Sequence, residues 1–300
     1  MTTTTTPPHD NLPTGIRLVE ANGALPAIAV SLPSATALIY LHGAHVAEWR
    51  PTDQRPALWM SALSQYSATT ALRGGIPLCF PWFGQNATDP SLPNHGWARL
   101  AEWTLLSATR GADDAELTFE LTDRSVGVPA GTAPMRLLYV VTVGARLTVE
   151  LQVENRGAAD LTFEEALHTY LAVADVTVAS VHGLENLHYS DRAVSAEATG
   201  ASPAPITFDG DLVDRIYPMP SAIEIDDRGN SRVITVVAGA AAQSVVWNPG
   251  TIKAAAMADM PDDGWTSMVC VEAANIVEHR ITLAPGASHR IRSDITVAPR

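Results

Sequence analysis

The sequence is short of lysine, of cysteine and of aromatic residues, and each shortage narrows what it can be. Lys253 is the single lysine among 19 basic residues, set against 32 acids, for a net charge of −13 over 300 residues. A chain this acidic repels a phosphate backbone, so nucleic acid is excluded as a general partner; a small anion held by a few local arginines is not. The two cysteines, Cys79 and Cys270, have no CxxC spacing and sit among apolar neighbours. They read as small buried hydrophobes, as expected in a reducing compartment. No apolar run approaches the roughly 18 residues that a membrane span needs. Residues 1–14 are rich in Thr and Pro, without the basic start or apolar centre of a signal peptide. They are expected to form a flexible tail, and the protein to be cytoplasmic, with no membrane partner.

What is present is core material in short pieces. Hydrophobic residues make up 46% of the chain and charged ones 17%, a balance that excludes wholesale disorder. Brief apolar segments such as Ile16 to Ala21, Ala27 to Leu32 and Thr36 to Leu41 are separated by Gly, Pro or Ser. In Ala115 to Thr122 the period is two, with Leu117, Phe119 and Leu121 on one face. Arg136 to Val143 and Arg146 to Val153 flank Gly144-Ala145 and read as a hairpin. The same alternation recurs in Arg232 to Val237, Gln243 to Trp247, Met268 to Ala273 and Arg290 to Val297. Helical signals are nearly missing; Pro261 to Trp265 suits one short turn. There is no GxGxxG, P-loop or alternating βαβ rhythm, which argues against a nucleotide-binding α/β fold. About twenty strands over residues 15–300 predict an all-β chain folded as one large antiparallel β-sandwich domain.

Chemistry-bearing residues interrupt this grammar in five places. Ala71 to Gly84 packs two prolines, three glycines and three aromatics around Arg73, an irregular aromatic-walled loop. Pro93-Asn-His-Gly-Trp-Ala-Arg99 adds His95 and Arg99 beside Gly and Trp. His168 and Glu272 each lie inside otherwise apolar strand-like segments, and a carboxylate buried there needs a partner or a purpose. A structural ion pair is one reading of Glu272, a catalytic group the other. Asp214 and Arg215, adjacent in Leu212 to Tyr217, read either as an exposed turn pair or as part of a site. His42, His45, His182 and His188 reach no recognised metal-ligand spacing, and no GxSxG elbow is present.

Taken in order, Arg73-Gly-Gly-Ile-Pro, Phe80-Pro-Trp-Phe-Gly84, His95-Gly-Trp-Ala-Arg99, Glu165-Ala-Leu-His-Thr-Tyr170, Asp214-Arg-Ile-Tyr217, Trp247-Asn-Pro249 and Val271-Glu-Ala273 resemble the D-hexose-6-phosphate mutarotases. That family is the glucose-6-phosphate 1-epimerase branch of the aldose 1-epimerase superfamily, and the motifs span roughly residues 15 to 298. The resemblance implies a galactose-mutarotase-like supersandwich that interconverts the α and β anomers of a hexose 6-phosphate, acting as a monomer and without metal or organic cofactor. It also implies roles: His168 as general acid, Glu272 as general base, His95 and Asp214 as sugar contacts, and Arg73 and Arg99 as phosphate contacts. Asn94 occupies a substrate-binding position where the family often has Gln. Gly250 replaces a common aromatic, which predicts a more open pocket wall. Unperturbed pKa values of about 4.3 and 6.5 would poise one carboxylate and one imidazole as base and acid. A mutarotase for unphosphorylated aldoses, or a non-catalytic carbohydrate-binding protein, would use the same frame.

Overall fold

The computed structural model describes residues 12–195 and 197–300. Most of the tail expected at residues 1–14 lies outside the described residues. At its end, Leu12 packs against the core and the Pro13 carbonyl accepts a hydrogen bond from the Ile16 N–H.

The chain folds into antiparallel sheets with almost no helix. One eight-stranded sheet, the backing sheet, runs in the order Ser180–His182, Ile223–Asp227, Arg232–Gly239, Ser288–Pro299, Arg146–Asn155, Met135–Val143, Ala115–Thr122 and Thr104–Arg110. Its period-two segments behave as their sequence dictates. Leu117, Phe119 and Leu121 are fully buried on one face and the residues between them are not.

A second sheet carries the site. Its order is Thr199–Gly200, Tyr189–Asp191, Val213–Pro218, Gln243–Asn248, Met268–Asn275, Glu165–Leu167 and Leu78–Cys79, with Tyr170–Ala172 also paired to Met268–Asn275. The central strand Met268–Asn275 is buried along its whole length. Val269, Val271 and Ala273 point into the main core, while Met268, Cys270 and Ala274 join smaller clusters. A strand with both faces covered loses the usual polar alternation, and that leaves Glu272 as its one charged residue. Four further strands, Ile16–Glu20, Pro26–Ser31, Ala35–Tyr40 and Val46–Pro51, form their own sheet, and its Ile28, Ile39 and Trp49 enter the same core. Both cysteines are buried and unbridged.

Two local readings change. Val213–Pro218 is a strand, not a turn, so Asp214 and Arg215 point to opposite faces of the site sheet. Gly250 does not open a pocket wall; it starts the helix Gly250–Ala255, which six residues were too few to announce. It holds φ +61°, and a Cβ there would land on backbone atoms of Gly210 and Asp211. The position therefore needs glycine for reasons unconnected with a ligand.

Candidate active site

The seven residues singled out from sequence line one cavity of about 490 Å³ on the site sheet: Arg73, Asn94, His95, Arg99, His168, Asp214 and Glu272. Phe83, Tyr170, Arg192, Trp247, Lys253 and Met257 line it too.

Cross-strand register explains how residues so distant in sequence meet. Glu272 lies opposite Val245, and Asp214 opposite Trp247, which in turn lies opposite Cys270. Directly opposed residues share a face, so Glu272 and Asp214 are carried onto the same side of the sheet. His168 sits in the break between Glu165–Leu167 and Tyr170–Ala172, where its backbone N–H donates to the Pro77 carbonyl at 3.1 Å, one residue beyond the pairing with Leu78–Cys79. Its ring stacks on Tyr170, with centroids 4.8 Å apart at 7°. This brings His168 Nδ1 to 3.5 Å from Glu272 Oε1. The two groups are thus neighbours without a hydrogen bond between them. Nδ1 of His168 and Oε2 of Glu272 are buried with no hydrogen-bond partner.

Burial inverts the poise expected of these two groups. Desolvation, followed by the Arg99 and Arg73 charges, pulls the His168 pKa down to about 3. Desolvation, followed by the Asp214 charge, pushes Glu272 well above the carboxylate range, against the opposing pull of Arg192 and Arg99. Burial therefore favours the neutral imidazole on one side and the protonated carboxyl on the other. Sequence alone supplies only unperturbed values, because the burial of these groups comes from tertiary packing.

The His95 loop is fixed by a close approach. Gly96 bridges to Phe80, and a Cβ on it would collide with the Phe80 carbonyl. His95 Nδ1 accepts the Gly84 N–H at 3.1 Å, which leaves Nε2 as the donor in the neutral ring. Its ring stands edge-on to His168 at 5.3 Å. Burial, with the Arg99 and His168 charges next, holds its pKa well below the usual imidazole value.

The two arginines expected to hold an anion are not equivalent. Arg73 is committed: Nε and Nη2 reach Asp259 Oδ2 at 3.1 and 3.0 Å, and Nη1 donates to the Tyr170 hydroxyl at 2.9 Å. Arg99 donates from Nη2 to the Asn94 carbonyl at 2.7 Å, and its buried Nε has no partner. Asn94 thus serves Arg99 through its backbone, whatever its side chain does. Among the described residues Arg99 makes no ion pair with a carboxylate. Arg192 lines the cavity although no sequence motif contained it. Lys253, noted in the sequence only as the sole lysine, lies 5.8 Å from the Trp247 ring. No cluster of three or more His, Cys, Asp or Glu suited to a metal ion occurs among the described residues.

Fold and site together define a β-sandwich with an acid/base pocket open on one sheet. The chain belongs to the aldose 1-epimerase family, whose family model matches residues 27–296. A protein of Escherichia coli (strain K12) named "Putative glucose-6-phosphate 1-epimerase" is 36% identical over 274 residues, covering 91% of this chain and 90% of its own length. The crystal structure of "a putative mutarotase (YeaD)" from Salmonella typhimurium superposes with a TM-score of 0.89 at 31% identity, over 97% of this chain and 96% of its own. A galactose mutarotase-like protein from Clostridium acetobutylicum shares the fold at 12% identity, with a TM-score of 0.71 over 95% of this chain and 98% of its own.

Proposed function

We propose that the protein interconverts the α and β anomers of a hexose 6-phosphate, with glucose 6-phosphate the first candidate, by acid/base opening and closing of the ring. One observation carries the reading. In a chain of net charge −13, four cations (Arg73, Arg99, Arg192 and Lys253) border a single cavity that also holds a buried carboxylate–imidazole pair. Clustering cations against the sign of the whole molecule suits an anionic ligand. The names of the relatives support the same substrate class.

Ring opening removes the proton of the C1 hydroxyl, adds one to the ring oxygen, and breaks the bond between C1 and that oxygen. The open aldehyde turns about C1–C2 and closes on its other face. In this scheme Glu272 takes the hydroxyl proton and His168 supplies the one for the ring oxygen. The pair thereby passes from imidazolium and carboxylate to imidazole and carboxylic acid. That second form is the one burial favours. Burial of the pair thus pulls in the direction of opening, and closing restores the charges.

Charging the His168 member of the pair falls to the substrate. Arg99 and Arg73 help hold His168 neutral, so a phosphate dianion set against them cancels part of that field. Arg99, with a buried N–H unspent and no carboxylate, is the better suited of the two to bind it. The committed state of Arg73 favours a second reading, a mutarotase for unphosphorylated aldoses in which that arginine is structural.

Anomer exchange on glucose 6-phosphate, glucose and galactose, against a no-enzyme control, separates the readings. The proposal expects kcat/KM for the 6-phosphate to exceed the others by about tenfold or more. Equal values would favour the second reading. No exchange with any sugar would leave a binding protein.

A further inference from the structure

Arg192 lies just beyond the strand Tyr189–Asp191, which pairs with Val213–Pro218 so that Ser190 faces Ile216 and Asp191 faces Arg215. Carried one residue further, that register sets Arg192 opposite Asp214. The Arg192 N–H accordingly donates to the Asp214 carbonyl at 2.8 Å. Opposed residues share a face. Arg192 and Asp214 therefore look into the cavity together, while Asp191 and Arg215 take the other face and pair with each other at 3.3 Å.

On the cavity side the guanidinium is placed but not spent. Its carbon lies 5.8 Å from the Phe83 ring centroid, and its Nη2 lies over Gly84, where a Cβ would make only ordinary contact at 3.6 Å. Among the described residues neither the Arg192 guanidinium nor the Asp214 carboxylate makes a hydrogen bond or ion pair with another side chain. Two opposite charges set side by side yet unpaired suit a ligand that offers both donors and acceptors. A polyol does so at every hydroxyl.

We infer that Arg192 is a substrate-binding residue that works with Asp214 on the sugar's hydroxyls and not on its phosphate, Asp214 accepting from one hydroxyl and Arg192 donating to the oxygen of its neighbour. The inference rests on the proposed anomer interconversion and adds a specificity residue to it. A phosphate dianion placed at Arg192 would meet the Asp214 carboxylate beside it, whereas Arg99 has no such neighbour in an ion pair. The guanidinium also leads the positive charges that oppose the raised pKa values of Asp214 and Glu272, so its loss should move the pH profile as well as binding.

The test compares Arg192→Met and Arg192→Lys on glucose 6-phosphate and on glucose, with thermal unfolding as a control for folding. Arg192→Met should lower kcat/KM for both sugars by a similar factor, about 10- to 100-fold. Arg192→Lys should recover part of that loss. The pH at which the pair loses its last proton should rise in Arg192→Met. A loss at least tenfold larger for the phosphorylated sugar would make Arg192 a phosphate ligand and overturn the inference. Unchanged kinetics on both sugars, with an active wild type, would overturn it alone. A wild type without anomer exchange would instead remove the reading beneath it. If Arg192→Met does not fold, Arg192→Gln gives the same readout.

Discussion

The backing sheet and the site sheet each bury an acid beside a base, and the two pairs are finished differently. At the end of the backing sheet, Asp227 and Arg232 are 0% and 2% exposed and meet at 2.8 Å. Asp227 also accepts from the Ala174 N–H and the Asn230 amide, and Arg232 donates to the carbonyls of Arg55, Pro56 and Ala172. Both members are tied to several neighbours. Glu272 and His168 are as deeply buried, but they touch at only 3.5 Å and leave two atoms without partners. A satisfied buried pair fixes loops in place, whereas an unsatisfied one stores a cost that a ligand can relieve. The first pair is a fastening; on the proposed function the second is a site held ready.

The largest effect that could break this contrast is on catalysis. His168→Asn should lower kcat on glucose 6-phosphate by about 10²-fold or more, with little change in sugar-phosphate binding. Adding Glu272→Gln should make matters far less than multiplicatively worse, because either loss alone stops the proton relay. Multiplicative losses in steady-state kinetics would point to two independent roles. The fastening should behave in the opposite way. Asp227→Ala strands a buried guanidinium and should cost about 3–5 kcal/mol in denaturant unfolding, with kcat per folded molecule close to wild type. Loss of kcat without loss of stability would erase the distinction.

A smaller effect separates the two arginines. Arg99→Met should raise KM for the 6-phosphate about 10- to 100-fold and leave free glucose nearly unaffected. Arg73→Ala also removes the contacts to Asp259 and Tyr170, so it should impair both substrates. Equal effects of Arg99→Met on both sugars would mean that Arg99 supports the loop and does not hold the phosphate.

Much of this was legible in the sequence because strands announce themselves by local alternation. Ala115 to Thr122 needed no tertiary information, and Met268 to Ala273 fell within the observed strand. Glu272 was conspicuous as a charge in an apolar run. His168 and Arg73 stand out by their surroundings, an apolar segment and an irregular aromatic loop, and only the motifs suggest roles for them. Arg192 left no trace, because Ser-Asp-Arg-Ala is an ordinary polar stretch and only its register against Asp214 turns it inward. The engagement of Arg73 by Asp259 and the opposed pKa shifts of His168 and Glu272 were equally hidden. The first joins residues 186 positions apart, and the second follows from how much water the folded chain excludes.

The central claim is that Glu272 is kept for proton transfer at some cost to the fold, and one variant tests it on a single sample. The folded pKa of Glu272 is raised, so its contribution to stability is full below the unfolded value of about 4.5 and is lost as pH rises toward the folded value. Gln in its place stays neutral at every pH. Glu272→Gln should therefore unfold at the same temperature as wild type near pH 4 and a few degrees higher at neutral pH and above. The same sample should bind glucose 6-phosphate while its anomer exchange falls by about 10²-fold or more. A Glu272→Gln protein that melts earlier than wild type at neutral pH, or that exchanges anomers at a near-normal rate, would contradict the account.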